Sequence, residues 1–210
     1  MTAKAIGDDS GRDLTDQRRD NMLEAAAELI AERGFGETRI ADVARRVGAS
    51  PALVIYYFGT KDQLLTAALR YSEEAFYRAC MSLIDRAGSV RQRLEAIVGL
   101  TCGPDSADAP GAWGLWFDLW AQAFRHPTVA ADRVELERRW RSMIAEVVHN
   151  AVDSGEIAPV DADDFAVVWG ALMDGLSIQV ALEDEMVQPA KAFDIAMSFA
   201  EHALSLPPRS

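Results

Sequence analysis

The 210-residue sequence predicts an all-α chain of about nine helices: a short N-terminal helical module followed by a larger helical domain. Three observations carry that expectation. Apolar residues recur with the 3.6-residue period of helices. Valine and isoleucine are frequent, yet they never form alternating runs closed by hairpin turns. Glycine and proline, often beside a Ser or Thr suited to capping, punctuate the chain at helical intervals. Half the residues are hydrophobic, ample for a buried core. No apolar run approaches the roughly 20 residues of a membrane span.

Residues 1–14 lack the apolar stretch of a signal peptide and read as a polar, flexible arm. Met22, Leu23, Ala26, Leu29 and Ile30 then mark one buried face of a helix over 17–33. Gly34 ends it where a left-handed residue is wanted, and Phe35 turns back toward the core. A second, short helix has Thr38 as its expected N-cap and Ile40, Val43, Ala44 and Val47 as its apolar face, with Gly48 as its breaker. Ser50 caps a third helix with Pro51 at its first position, where the missing N–H costs nothing. After Gly59, Thr60 and Gln63 form a capping box that opens a long helix over 61–79. Further helices are expected near 90–102, 112–125, 128–153, 162–183 and 189–205, separated by Gly88, Pro104, Pro110, Pro127, Gly155 with Pro159, and Pro189. The resulting organisation is an arm (1–14), a module (15–60) and a domain (61–210), with the helix over 61–79 joining the last two.

The net charge of -12 argues at first against a nucleic-acid partner. The charge is uneven, however: residues 1–71 carry 10 Lys+Arg against 11 Asp+Glu, and residues 72–210 carry 11 against 22. The acidity therefore belongs to the C-terminal two-thirds, and local arginines near the N-terminus can still face phosphates. Cys80 and Cys102 have neither metal-type nor redox-type spacing and read as reduced core thiols, as in a cytoplasmic protein. His126, His149 and His202 form no metal-binding pattern, and nucleophile elbows, phosphate loops and nucleotide-binding glycine strings are missing from the sequence. No enzyme, metal or cofactor is expected.

The second and third helices, joined by Val47-Gly48-Ala49-Ser50, make a helix-turn-helix that the first helix must cover. By spacing alone this is equally a helical hairpin of any bundle. The residue string is more specific. Thr38, Ile40-Ala41-Asp42-Val43-Ala44, Val47-Gly48-Ala49-Ser50, Leu53 through Gly59 and Lys61-Asp62-Gln63-Leu64-Leu65 closely resemble the signature of the TetR (tetracycline repressor) family. The segments 113–126, 138–156 and 172–179 are similar to the C-terminal domain of the betaine-synthesis repressor subfamily.

That resemblance implies a dimeric, ligand-responsive DNA-binding transcriptional regulator, a repressor released from a palindromic operator by a small-molecule effector. It implies phosphate contacts at Thr38, Tyr57 and Lys61. A lysine in the first turn of a helix opposes the helix dipole, so an external anion gives Lys61 a purpose. Pro51, Ala52, Leu53, Ile55 and Tyr56 are expected to enter the major groove, with Val54 and Phe58 in the core. Ile55 and Ala52 replace a frequent tyrosine and glycine, so base readout leans on thymine methyls and on Tyr56. Ser50, Arg39, Arg45 and Arg46 stand at the edges of this face, and Arg12, Arg18 and Arg19 stand near the arm. Each of these arginines reads equally well as part of a solvated helix face.

In the C-terminal domain, Trp113, Trp116, Phe117, Trp120, Trp140, Met143, Trp169 and Met173 are the candidate lining of an effector cavity. Phe124 interleaves with the tryptophans. Any one of them alone reads as core. Asp118 and Asp174 would add a carboxylate suited to a cation. The effector is therefore expected to be apolar, aromatic or cationic. Small and apolar residues at Ala166, Gly170, Ala171 and Gly175, then Phe193, Ala196, Met197, Ala200 and Leu204, are expected to make a homodimer interface through the helices over 162–183 and 189–205; internal packing alone is the alternative. The competing function is an all-α small-molecule carrier or adaptor that does not bind DNA.

Overall fold

The computed structural model describes residues 9–108, 110–125 and 127–207, apart from the side chains of 9–13, 107, 108, 110–112 and 128. These residues form nine α-helices and no strand: α1 (Asp9–Glu37), α2 (Ile40–Arg46), α3 (Pro51–Phe58), α4 (Lys61–Ile84), α5 (Val90–Thr101), α6 (Pro110–Ala123), α7 (Pro127–Asp153), α8 (Ala162–Ala181) and α9 (Pro189–Ala203). A short 3-10 turn, Pro104–Asp108, follows α5. The chain divides into two compact units. One contains residues up to Ala75 together with Gly114–Ala121; the other contains Phe76–Trp113 and Gln122 onward.

In the N-terminal unit, α2 and α3 pack on each other and α2 packs on α1. Met22, Leu23, Ala26, Leu29 and Ile30 of α1 are buried, as are Val43, Ala44 and Val54. The caps are largely those the sequence predicts. The Leu53 N–H donates to Ser50 Oγ at 3.2 Å. The Thr60 N–H donates to Gln63 Oε1 at 3.0 Å, and the Gln63 N–H donates back to Thr60 Oγ1 at 3.2 Å. Gly48 and Gly59 take positive φ of 66° and 76°, a region closed to most side chains.

Three expectations need correction here. Residues 9–14, assigned to the arm, are the first turns of α1, while residues 1–8 lie outside the described residues. α4 continues past Ala79 to Ile84, because Cys80 and Ile84 carry its buried face further. Thr38 does not cap α2. Arg39 occupies that position without a side-chain cap, while Thr38 is fully buried and its hydroxyl donates to the Gly34 carbonyl at 2.8 Å.

In the C-terminal unit, α7 packs against α8, α8 against α9, and α5 against α7, α8 and α9. The core is built around Leu94, Ile97, Ile144, Val148, Phe165, Trp169, Met173 and Met197. Trp169 stacks on Phe165 at 5.4 Å, and its indole N–H donates to the Ala196 carbonyl at 2.9 Å, so the ring's one polar group is satisfied inside the core. Cys80 and Cys102 are free and buried, and burial pushes their thiols up to about 12 and about 11. They are inert thiols at neutral pH.

The small residues of α8 and α9 divide differently from the sequence expectation. Ala166, Gly170, Ala196, Met197, Ala200 and Leu204 are buried within the single chain, and a Cβ on Gly170 would lie 3.4 Å from Trp140 Nε1. They pack one protomer internally and form no free face. Ala171 and Gly175 are exposed, beside Val167 and Val168.

Asp174 is half-buried on α8. Burial pushes its carboxyl from 3.8 up to about 6; Glu137 adds to the rise, and Arg133 and Arg141 oppose it. The folded chain therefore holds this proton more tightly than the unfolded chain. Asp174 costs stability as pH rises from about 4 to about 6, and its effect levels off above that window. Asp174→Asn should flatten that part of the stability profile and raise stability at pH 7 by roughly 1–3 kcal/mol. Urea denaturation between pH 4 and 7 measures both effects; an unchanged slope would assign the titration to another group.

Candidate functional site

The exposed side of α3 is the most distinctive surface of the N-terminal unit. α3 starts at Pro51 under the Ser50 cap and buries Val54 and Phe58, four residues apart, on one side. The same period turns Pro51, Ala52, Ile55 and Tyr56 outward, with Leu53 and Tyr57 half-buried at the margins. Ile55 is 48% exposed and Tyr56 82% exposed. Tyr57 meets Tyr56 edge-on at 5.6 Å and Phe58 at 6.3 Å, which restricts the Tyr57 ring. A helix that presents apolar and phenolic groups to solvent at the second position of a helix-turn-helix has the shape and chemistry to fill a major groove.

The cations around this face divide into free and engaged groups. Arg39 is exposed ahead of α2. Arg45 pairs with Asp42 at 3.1 Å but is 75% exposed in its side chain, and Arg33 reaches the same carboxylate at 3.5 Å. Arg46 bridges Glu28 at 2.9 Å and Glu32 at 2.8 Å, and its hydrogen bond holds Glu32 below the usual carboxylate range. Arg46 thus ties α2 to α1 and is not presented to an outside anion. The Arg19 guanidinium lies 5.5 Å from the centre of the Phe58 ring. The side chain of Arg12 lies outside the described residues.

Lys61 opens α4. Its ammonium donates to the Gly36 carbonyl at 2.8 Å and sits 5.7 Å from the Phe35 ring centre. These neighbours seat the lysine stem beside the turn that ends α1. Burial of Thr38, in contrast, removes its hydroxyl from any outside phosphate, because the Gly34 carbonyl already holds it. The sequence also gave no sign of Glu28, Glu32 or Asp118 as partners. Glu28 and Glu32 stand one turn apart on α1, a visible pattern, but their partner Arg46 is remote in sequence. The Phe35 N–H donates to Asp118 Oδ2 at 2.7 Å, so the acid considered for a cation cage is engaged with the backbone.

The aromatic set of the C-terminal half is split between the units. Trp116, Phe117 and Trp120 are half-buried in the 114–121 segment, with Phe117 and Trp120 6.0 Å apart. Trp113 and Trp140 are half-buried in the other unit. There Phe76 lies 5.9 Å from Trp140 and 6.0 Å from Tyr77, whose hydroxyl donates to the Leu136 carbonyl at 3.2 Å. The Arg139 guanidinium covers the Tyr77 ring at 4.6 Å. The Trp140 indole N–H is buried without a hydrogen-bond acceptor among the described residues. Met143 lines a groove of about 360 Å³ with Met81, Ile84, Arg93, Glu146 and Asn150. Trp169 and Met173 are corrections to the expected lining: they are 0% and 1% exposed, and the Thr101 hydroxyl approaches Met173 Sδ at 3.7 Å, so close packing leaves no open space beside them. Phe124 is 91% exposed.

Two family models match the chain. Residues 22–68 match the family model for bacterial regulatory proteins of the tetR family, and residues 90–205 match that for the C-terminal domain of BetI-type transcriptional repressors. The transcriptional regulator BetI of Burkholderia thailandensis is 30% identical, over 92% of this chain and 95% of its own. The crystal structure of a TetR-family regulator from Rhodococcus sp. has 27% identity and a TM-score of 0.79, covering 90% of this chain and 99% of that one. That of a transcriptional regulator from Saccharomonospora viridis, in complex with choline, has 28% identity and a TM-score of 0.78, covering 89% of this chain and 97% of that one. The chain therefore belongs to the TetR family of DNA-binding bacterial transcriptional regulators, with a C-terminal domain of the BetI repressor type.

Proposed function

We propose that this regulator is a homodimeric repressor that holds a roughly palindromic operator through α3 and leaves it when a small cationic effector binds its C-terminal domain. The observation that carries the DNA-binding part is the exposed face of α3, with Ile55 and Tyr56 turned to solvent while Val54 and Phe58 anchor the helix. Tyr56, Leu53 and Ile55 read base edges and thymine methyls; Lys61 and Tyr57 contact phosphates, with Arg39 and Arg45 at the margins. A carrier that does not bind DNA would have no use for such a face.

Dimerisation is supported by the composition of α8. The helix has 20 residues and an 18-residue window of mean hydropathy 1.2, which by length and composition is enough to cross a membrane. The core accounts for only one side, through Phe165, Ala166, Trp169, Met173 and Leu176. The other side exposes Val167, Val168, Ala171 and Gly175, with Ile195 exposed on α9. A helix apolar on both sides needs a second cover, and a second copy of the chain supplies it by two-fold symmetry.

The effector reading rests on aromatic chemistry. Phe76, Tyr77 and Trp140 cluster in the C-terminal unit, and the Trp140 N–H has no protein acceptor among the described residues. Aromatic faces attract an alkylammonium group, and an indole donor suits a hydroxyl oxygen. Choline has both groups, and the Saccharomonospora viridis regulator binds it in its crystal structure.

Binding to operator and random duplexes across a salt series tests the DNA assignment. Lys61→Ala should weaken both about equally and reduce the slope of log affinity against log salt by roughly one per half-site. Tyr56→Ala should cost about 1–3 kcal/mol of discrimination at the contacted base pair and leave the slope nearly unchanged. Absence of any salt-dependent DNA binding by the wild type, with or without effector, would return the carrier reading.

For assembly, Val168→Arg should yield folded monomers in analytical ultracentrifugation, because a charge would be buried unpaired between subunits. Gly170→Arg should instead unfold the chain, since its neighbour is Trp140. A folded Val168→Arg protein that stays dimeric at micromolar concentration would move the interface elsewhere. For the effector, millimolar choline should raise the melting temperature of the wild type by mass action, and Trp140→Leu should lose that rise; equal shifts in both proteins would exclude Trp140 from the site.

A further inference from the structure

Residues 114–121 of α6 pack with the DNA-binding unit although they are remote from it in sequence. Two contacts on α1 accompany that assignment. Gly114 lies against the α1 backbone: a Cβ there would stand 3.3 Å from the Ala31 carbonyl oxygen and 3.4 Å from its Cα. One turn further along α6, Asp118 Oδ2 accepts the Phe35 N–H at 2.7 Å. This is a charge-assisted bond to a backbone amide at the break in α1, where the ladder is interrupted by Gly34 at φ 83°. A Cβ at Gly34 would stand 3.4 Å from the same carboxylate oxygen, an ordinary contact distance, so the acid lies directly against the break.

The other side of the same turn seats Lys61. The Gly36 carbonyl accepts from the Lys61 ammonium at 2.8 Å, and the Phe35 ring lies 5.7 Å from it. The Thr38 hydroxyl ties the Gly34 carbonyl at 2.8 Å, so the segment from Gly34 to Thr38 has little freedom of its own. Two residues of backbone, Phe35 and Gly36, thus stand between a carboxylate on α6 and an ammonium at the start of α4. Moving the first shifts the groups that orient the second.

We propose that Asp118 is a positioning residue for DNA binding: its carboxylate fixes the Gly34–Gly36 turn, and that turn sets where Lys61 presents its charge. The proposal rests on the assignment of Lys61 to a phosphate. Asp118 need not touch DNA itself.

A double-mutant cycle on the full-length protein tests this. Affinity for a random-sequence duplex is measured across a salt series for the wild type, Asp118→Ala, Lys61→Ala and the double variant, with urea denaturation of each. Asp118→Ala should weaken binding about fivefold to tenfold and lower the salt slope toward that of Lys61→Ala. In the double variant the Asp118 change should add nothing to the Lys61 loss, the non-additivity expected of residues acting through one group. Asp118→Asn keeps a carbonyl acceptor and should recover affinity to within about threefold of wild type. Gly114→Ala presses on the Ala31 backbone without touching the carboxylate; it should reproduce the loss, and it carries the cycle if Asp118→Ala does not fold. A folded Asp118→Ala protein with wild-type affinity and slope overturns the proposal, as do losses that multiply in the double variant. An unchanged salt slope in Lys61→Ala would instead overturn the phosphate assignment on which it rests.

Discussion

Two helices of seven and eight residues cannot bury their own apolar faces, and that shortage governs the N-terminal unit. Val43, Ala44, Val54 and Phe58 need a third surface, which α1 provides along Met22, Ala26, Leu29 and Ile30. The same arrangement decides which residues are left over. With Val54 and Phe58 committed to the core, the helical period leaves Ala52, Ile55 and Tyr56 outside. The exposed face of α3 is thus a consequence of how the module solves its packing problem. Arg46, spanning Glu28 and Glu32, adds an electrostatic tie between α1 and α2. Exposed pairs of this kind contribute little, being screened by solvent, so burial holds the unit together and the ion pairs refine it.

The break in α1 is the second organising feature. Gly34 turns the chain, and three polar groups of the turn are taken up: its carbonyl by Thr38, the Phe35 amide by Asp118, the Gly36 carbonyl by Lys61. Two of these partners, Asp118 and Lys61, come from other parts of the sequence. A helix end that would otherwise need water becomes a junction between α1, α4 and α6. Glycine is favoured at this position by its positive φ.

In the C-terminal unit the apolar content exceeds what one core consumes. Trp169, Met173 and Phe165 fill the interior from α8, while Val167, Val168 and Ala171 remain outside on the same helix. Asp174, raised toward neutral by burial, lies on this helix as well, with Glu137, Arg133 and Arg141 of α7 around it. An acid that costs stability where it stands contrasts with the buried Trp169, whose one polar atom is matched. The aromatic residues follow the same logic: those with satisfied polar groups are core, and Trp140 keeps an unmet donor among the described residues.

The sequence by itself determined what depends on partners within one helical turn. Ser50 over Leu53, the Thr60–Gln63 box, the breaks at Gly48 and Gly59 and the Val54/Phe58 face are local, because a cap or a period involves residues three or four apart. The helix-turn-helix and the all-α class were legible for that reason, as was family membership. Tertiary structure alone decided the rest. Thr38 looks like a cap in sequence, but burial makes its hydroxyl a tie to Gly34. Gly170 and Ala200 look like an interface, but small residues permit close approach to any neighbour, and here they lie buried within the single chain, Gly170 beside Trp140. Trp169 looks like a cavity wall, and its acceptor on Ala196 places it in the core. Asp118 is separated from Phe35 by 83 residues, and no period or cap motif links positions so far apart. Periodicity tells which side of a helix is apolar; only the packed chain decides what that side meets, because contact between remote segments is set by how every helix buries its surface at once.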